Sequence, residues 1–183
     1  DRDSLHALKS DFFFPDAVIA LGTGILSEDP EVTRLTTTLD QTRFVSDPVI
    51  GRKSRWVWHD GKGYVSLDGN PLSVETPEQV GSWEMMAPCY VGMSDTLRVF
   101  KCWVEHKVNA MPQSYAYALL PDASVALTAR FARGRDVKVL RNDSACQAVS
   151  YKGTVCAIVH EPGVYKFGKH SVDVKVPDIL VLR

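Results

Sequence analysis

Trp56-Val57-Trp58-His59-Asp60-Gly61-Lys62-Gly63-Tyr64-Val65-Ser66-Leu67 is the stretch that decides the fold class. Two runs rich in β-branched and aromatic residues flank an Asp-Gly step, which accommodates the positive φ angles of a tight hairpin turn. Alternation places Trp56 and Trp58 on one face of the first strand and predicts Tyr64 opposite them across the hairpin. Asp68-Gly69-Asn70-Pro71 supplies a second turn directly afterwards. Moving outward, the same rhythm of short apolar runs and turn residues recurs every eight to twelve residues or so, the spacing of sandwiches and barrels. Phe12 to Phe14 and Ala17 to Leu21 flank Pro15-Asp16, after which Gly22-Thr23-Gly24 is expected to loosen the chain. Arg34 to Thr42 sets Leu35 and Leu39 among hydroxyls, as in a strand with one wet face.

Leu97 to Val104 carries the stacking argument. Leu97, Val99 and Trp103 alternate with Phe100, Cys102 and Val104, so both faces are expected to be buried, which requires sheets packed on sheets. Further strands are expected at Val137 to Leu140, Ala145 to Tyr151, Thr154 to His160, Val164 to Phe167 and Val172 to Val176. One short helix is expected from Asp122, a candidate N-cap after Pro121, through Phe131, with Val125, Ala129 and Ala132 at helical spacing. The expectation is an all-β, antiparallel multi-stranded β-sandwich with at most one short helix, residues 1–183 forming a single domain. No internal repeat is visible.

Composition agrees. The 183 residues contain 23 Val, 5 Ile and 10 Thr against 14 Ala and 7 Glu, the reverse of what helices prefer. At 45% hydrophobic and 23% charged, the chain has globular composition. Lys and Arg total 21 against 22 Asp and Glu, so the whole-chain field offers no funnel for nucleic acid or an anionic membrane, and neither partner is expected. The apolar runs fall well short of the roughly 20 residues that cross a bilayer. The chain lacks an initiator Met and stops in the strand-like run Ile179 to Arg183, which reads as a piece of a longer polypeptide. Cys89, Cys102, Cys146 and Cys156 include no close pair of the kind zinc or a redox dithiol uses; buried thiols are expected, with two disulfides open if the protein is exported.

The search for chemistry excludes more than it finds. Gly22-Thr23-Gly24 lacks the third glycine and following helix of a dinucleotide site, no serine sits in a nucleophile elbow, and no cofactor is expected. His59 and His106 show no metal-ligand spacing and read as turn or strand-end residues; His6, His160 and His170 read as ordinary surface histidines. Trp56 and Trp58 could stack a sugar ring if their face were open, although large aromatics more often fill the space between sheets, as expected for Trp83 and Trp103. Arg43, Arg52, Lys53 and Arg55 make the segment from Asp40 to Arg55 basic, able to touch an anionic polysaccharide or to serve as a solvated rim. Trp56, Trp58, Arg43, Arg52, Lys53 and Arg55 are therefore the candidate carbohydrate contacts; there is no catalytic and no metal candidate.

Several motifs together suggest a relationship. Phe12-Phe13-Phe14-Pro15-Asp16-Ala17-Val18-Ile19-Ala20-Leu21-Gly22, Thr36-Thr37-Thr38-Leu39-Asp40-Gln41, Gly81-Ser82-Trp83 and Ser114-Tyr115-Ala116-Tyr117-Ala118-Leu119-Leu120-Pro121 resemble, in order, strand motifs of the polysaccharide lyases of family 8: the hyaluronate, chondroitin AC and xanthan lyases. The four span about 110 residues. The resemblance implies the latter part of a β supersandwich whose helical toroid lies elsewhere in the polypeptide, an acidic polysaccharide as substrate, contact with a helical catalytic domain, and an extracellular or periplasmic location. It also implies β-elimination at a uronic acid, for which the family uses Asn, His, Tyr and Arg on the toroid and a Glu from the first part of the β region. None of those motifs occurs here, so Tyr64, Tyr90, Tyr115, Tyr117, Tyr151 and Tyr165 receive no catalytic role. Pro15 departs from the pattern, which often has a second acidic residue there. In a bacterial protein the sequon Asn142-Asp143-Ser144 carries no meaning. The alternative reading is a stand-alone sandwich that binds carbohydrate or protein without catalysis.

Overall fold

The structure, a computed structural model, describes residues 4–183 except 86, 88, 90, 109, 110 and 135. Its strands are β1 (Leu5–Phe14), β2 (Ala17–Ser27), β3 (Leu35–Arg43), β4 (Val49–Ile50), β5 (Trp56–His59), β6 (Lys62–Ser66), β7 (Leu72–Glu75), β8 (Glu78–Ser82), β9 (Ser94–His106), β10 (Gln113–Leu120), β11 (Val137–Asn142), β12 (Cys146–Tyr151), β13 (Thr154–Val159), β14 (Gly163–Phe167), β15 (His170–Val174) and β16 (Asp178–Leu182). A helix, α1 (Val125–Arg133), lies between β10 and β11. Every strand pairing is antiparallel.

The sheets stack in four layers. The central six-stranded sheet runs β1-β2-β10-β6-β5-β4. One of its faces meets the sheet β3-β9-β7, to which β8 is joined through β9; the other meets β11-β12-β13-β16, whose far side is covered by the hairpin β14-β15. Strand periodicity generates this stack. Along β10, Ala116, Ala118 and Leu120 enter one core while Tyr115, Tyr117 and Leu119 enter the other. Along β13, Cys156 and Ile158 face the central sheet, and Val155, Ala157 and Val159 face the hairpin.

The hairpin that decided the class forms as expected. Asp60 and Gly61 hold φ of 45° and 74°, the two positive values of a type I′ turn. Register corrects one detail: Tyr64 pairs with Val57, whereas Trp56 and Trp58 pair with Val65 and Gly63. Tyr64 thus points away from the tryptophans, into the opposite core. Gly22-Thr23-Gly24 does not interrupt β2; the strand continues to Ser27 through register shifts in both neighbours, because Gly22 leaves room for the Tyr115 ring.

Other expectations change for identifiable reasons. The cap of α1 is Ser124, whose hydroxyl accepts from the Leu127 N–H, while Asp122 sits earlier at a φ of 50°. The second face of β9 is covered unevenly: Leu97 is 45% exposed, whereas Trp103 is buried beneath the Arg34 guanidinium, 4.9 Å from its ring. Trp83, expected in the core, is 56% exposed. His59 and His106 are buried interior residues, and His160 is half-buried with its Nε2 atom buried. All four cysteines are free; Cys102 and Cys146 are buried and Cys89 is exposed. No described helix is long and apolar enough to cross a membrane.

Candidate functional site

A gathering of titratable groups lies between the central sheet and β3-β9-β7. Leu39 bulges out of register, so that Asp40 pairs with Cys102 and turns inward. There its carboxylate accepts from Lys62 Nζ at 3.2 Å and from the Tyr64 hydroxyl. His59, at the end of the same hairpin, stacks on Phe100 at 4.1 Å and accepts from the Val45 N–H at 3.4 Å. Burial drives the electrostatics. It raises the Tyr64 phenol far above its usual range, reinforced by the Asp40 carboxylate, pushes the Cys102 thiol up to about 12, and lowers the affinity of His59 for a proton. Tyr64, His59 and Cys102 have no accessible surface, so this cluster ties two layers together and is closed to a polymer.

A second polar line crosses the next interface. Gln147, wholly buried, accepts from the Ser10 hydroxyl at 2.5 Å and donates to Asn142 Oδ1 at 2.9 Å, and Asn142 donates to the carbonyls of Gly22 and Tyr115, each at 3.1 Å. The sequon asparagine is therefore occupied inside the fold. Among the described residues, no group of three His, Cys, Asp or Glu is placed to hold a metal ion.

The carbohydrate candidates occupy the opposite face of the hairpin and its edge. Trp56 and Trp58 are half-buried. The Trp56 indole lies against Gly51, where an added methyl group would sit 2.1 Å from Nε1, and the Trp58 N–H donates to the Ala123 carbonyl at 2.5 Å. Trp58 is thereby fastened to the start of α1, which crosses the hairpin with Thr128 packed on Gly63. Arg52, Lys53 and Arg55 are exposed on the tight turn between β4 and β5. Arg43 is not with them. Phe44 and Val45 neighbour His59, at the other end of β5, about 10 Å along the strand from Trp56. The end of α1 adjoins the turn instead, Phe131 and Ala132 sharing a cleft with Arg55, a placement for which the linear sequence holds no local signal.

Comparison with known proteins gives this architecture a family. The profile of polysaccharide lyase family 8, super-sandwich domain, matches residues 1–132. The chain belongs to polysaccharide lyase family 8. This family-8 chain is 30% identical over 200 residues to a chondroitinase AC of Pedobacter heparinus, a match that covers all of it and 28% of that protein. A hyaluronate lyase of Thermasporomyces composti is 30% identical over 88% of the chain, and a xanthan lyase of a Bacillus species 26% identical over 81%. A chondroitinase AC lyase structure from a study of enzyme-oligosaccharide complexes superposes with a TM-score of 0.87 at 29% identity, covering 99% of this chain and 29% of that one. The Streptomyces coelicolor chondroitin AC lyase in complex with chondroitin sulphate does so at 0.76 and 30%, covering 87% and 22%. The family-8 chain thus spans about a fifth to just over a quarter of the length of these relatives.

Proposed function

We propose that this chain is a non-catalytic part of the β region of a lyase that cleaves acidic, uronic-acid-containing polysaccharides of the hyaluronan, chondroitin or xanthan type by β-elimination, bracing the helical catalytic region and the substrate cleft. The enzyme acts outside the cytoplasm, where such polymers are met. In the reaction a base removes the C5 proton, its electron pair forms the C4–C5 double bond, the C4–O bond breaks and an acid protonates the departing oxygen. The neighbouring carboxylate must be neutralised for the C5 proton to be acidic. One observation carries the assignment of this chain to support: the Asp40, Lys62 and Tyr64 cluster and the neighbouring His59 are built around side chains with no accessible surface, and a uronate cannot reach Tyr64 or His59. Family membership and the named activities of the relatives support the reaction and its substrate class.

The test incubates the 183-residue chain with chondroitin sulfate, hyaluronan and xanthan and follows the absorbance of the unsaturated uronate. No rise is expected from the chain, and a rise from the intact enzyme on at least one polymer. A rise from the chain that survives repurification and disappears when one of its Tyr or His residues is replaced overturns the supporting role.

A further inference from the structure

Six cations of the structure are matched by carboxylates: Arg34 with Glu105, Lys62 with Asp40, Arg98 with Asp47, Arg141 with Asp143, Lys152 with Asp16 and Lys175 with Asp173. The turn between β4 and β5 is different. Arg52, Lys53 and Arg55 fall within four positions, all exposed, and none makes an ion pair or side-chain hydrogen bond among the described residues.

The turn is also rigid. Its backbone is closed by Gly51 N–H to Trp56 O at 2.8 Å, Ser54 N–H to Gly51 O at 3.0 Å, Arg55 N–H to Arg52 O at 3.4 Å and Ser66 N–H to Arg55 O at 2.9 Å. Lys53 and Ser54 sit consecutively at φ of 57° and 52°, a left-handed conformation that is strained for a residue with a side chain. Such strain persists where surrounding structure enforces it, and here the enforcing elements are visible: Gly51 is seated on the Trp56 indole, and the Arg55 guanidinium lies against Gly69. The result is a set of uncompensated cations held on a stiff corner, which limits the entropy lost when they engage an anion.

The neighbouring surface extends the corner. Arg55 forms one wall of a cleft of about 140 Å³ whose opposite wall is the end of α1, through Phe131, Ala132 and Gly134. Arg130 lies outside this cleft, on the exposed face of α1 with Ser124, Ala126 and Leu127. Asp136 lines the same cleft, so the cations rather than the cleft floor are the anion-facing part of the surface.

We infer that Arg52, Lys53 and Arg55 form a binding corner for acidic polysaccharide that engages the polymer's sulfate or carboxylate groups. The inference rests on the proposed substrate class and names the residues of this chain that contact the polymer. Arg43 is outside this corner, at the far end of β5, and serves as an internal control. An exposed cation facing an anion contributes modestly on its own, so the corner acts through several contacts at once and weakens with salt.

The experiment measures binding of the 183-residue chain to immobilised chondroitin sulfate over a salt gradient, with dextran as the uncharged polymer, for the parent chain, the triple variant Arg52→Gln, Lys53→Gln, Arg55→Gln, and Arg43→Gln. Far-ultraviolet circular dichroism confirms that the variants fold. The expected result is salt-sensitive retention of the parent chain, an affinity about an order of magnitude lower for the triple variant, little change for Arg43→Gln, and no retention on dextran. Equal retention of the triple variant and the parent overturns the inference, as does a parent chain that is not retained at low salt. Release of unsaturated uronate by the intact enzyme is read separately: cleavage of the polymer without retention by the corner defeats this inference alone, whereas retention without cleavage of any acidic polymer defeats the proposed lyase function alone.

Discussion

Replacing Trp58 with alanine separates a structural indole from a sugar platform. A wholly buried Trp→Ala change costs about 3 to 5 kcal/mol. Trp58 is half-buried, so about 2 to 3 kcal/mol follows from its packing against the hairpin and α1. The indole N–H also bonds the Ala123 carbonyl at 2.5 Å, and losing that bond adds about 1 kcal/mol. Since a chain of this size shifts by about 2 to 4 °C per kcal/mol, the total of about 3 to 4 kcal/mol lowers the melting temperature by about 6 to 16 °C. Trp58→Phe keeps most of the ring and loses the bond, so it is expected to lie between the parent and Trp58→Ala. Thermal melts followed by circular dichroism make the comparison, beside retention on chondroitin sulfate. A change below about 0.5 kcal/mol for Trp58→Ala, together with weakened retention, would show an open platform and refute the packing argument.

Three further outcomes are expected. Gly61→Val should destabilise the chain by more than about 1 kcal/mol, seen in denaturant unfolding, because Gly61 holds a φ of 74° at the hairpin turn. Gln147→Ala should cost about 2 to 4 kcal/mol by the same measurement, since it strands Ser10 and Asn142 inside the interface. Burial lowers the proton affinity of His59 and His106 in the folded chain, so the unfolded chain binds more protons just below its histidine pKa of about 6.5. Melting temperature should therefore fall as pH drops from 7.5 to 5.5, and His59→Phe should flatten part of that dependence; a parent melting temperature that is constant or rises toward pH 5.5 contradicts the burial argument.

Much of the fold is legible in the sequence because its signals are local. Asp60-Gly61 announces its turn, and alternation along Ser114 to Leu120 describes a strand that feeds two cores. What is not legible depends on which element covers a face. The alternation of Leu97, Val99 and Trp103 shows an apolar face but not that Leu97 stays exposed on it while Trp103 is buried. Trp56 and Trp58 are covered by their own turn and by a helix that begins more than sixty residues later. The bulge at Leu39, which turns Asp40 inward to Tyr64, leaves no mark in the residue types around it. The basic segment is visible as composition, yet only the path of β4 and β5 separates Arg43 from Arg52, Lys53 and Arg55 and sets α1 beside them.

The central claim is that this part of a family-8 lyase supports the reaction without carrying it out, and turnover of the intact enzyme tests it most directly. Formation of unsaturated uronate from chondroitin sulfate, hyaluronan or xanthan, whichever is cleaved, is measured for Tyr64→Phe, Tyr117→Phe and His59→Phe, each introduced separately and verified as folded. The account predicts kcat within about twofold of the parent for every variant, since none of these groups touches substrate. A loss of about a hundredfold or more in any folded variant, the size of effect that removing a general acid or base produces, contradicts it.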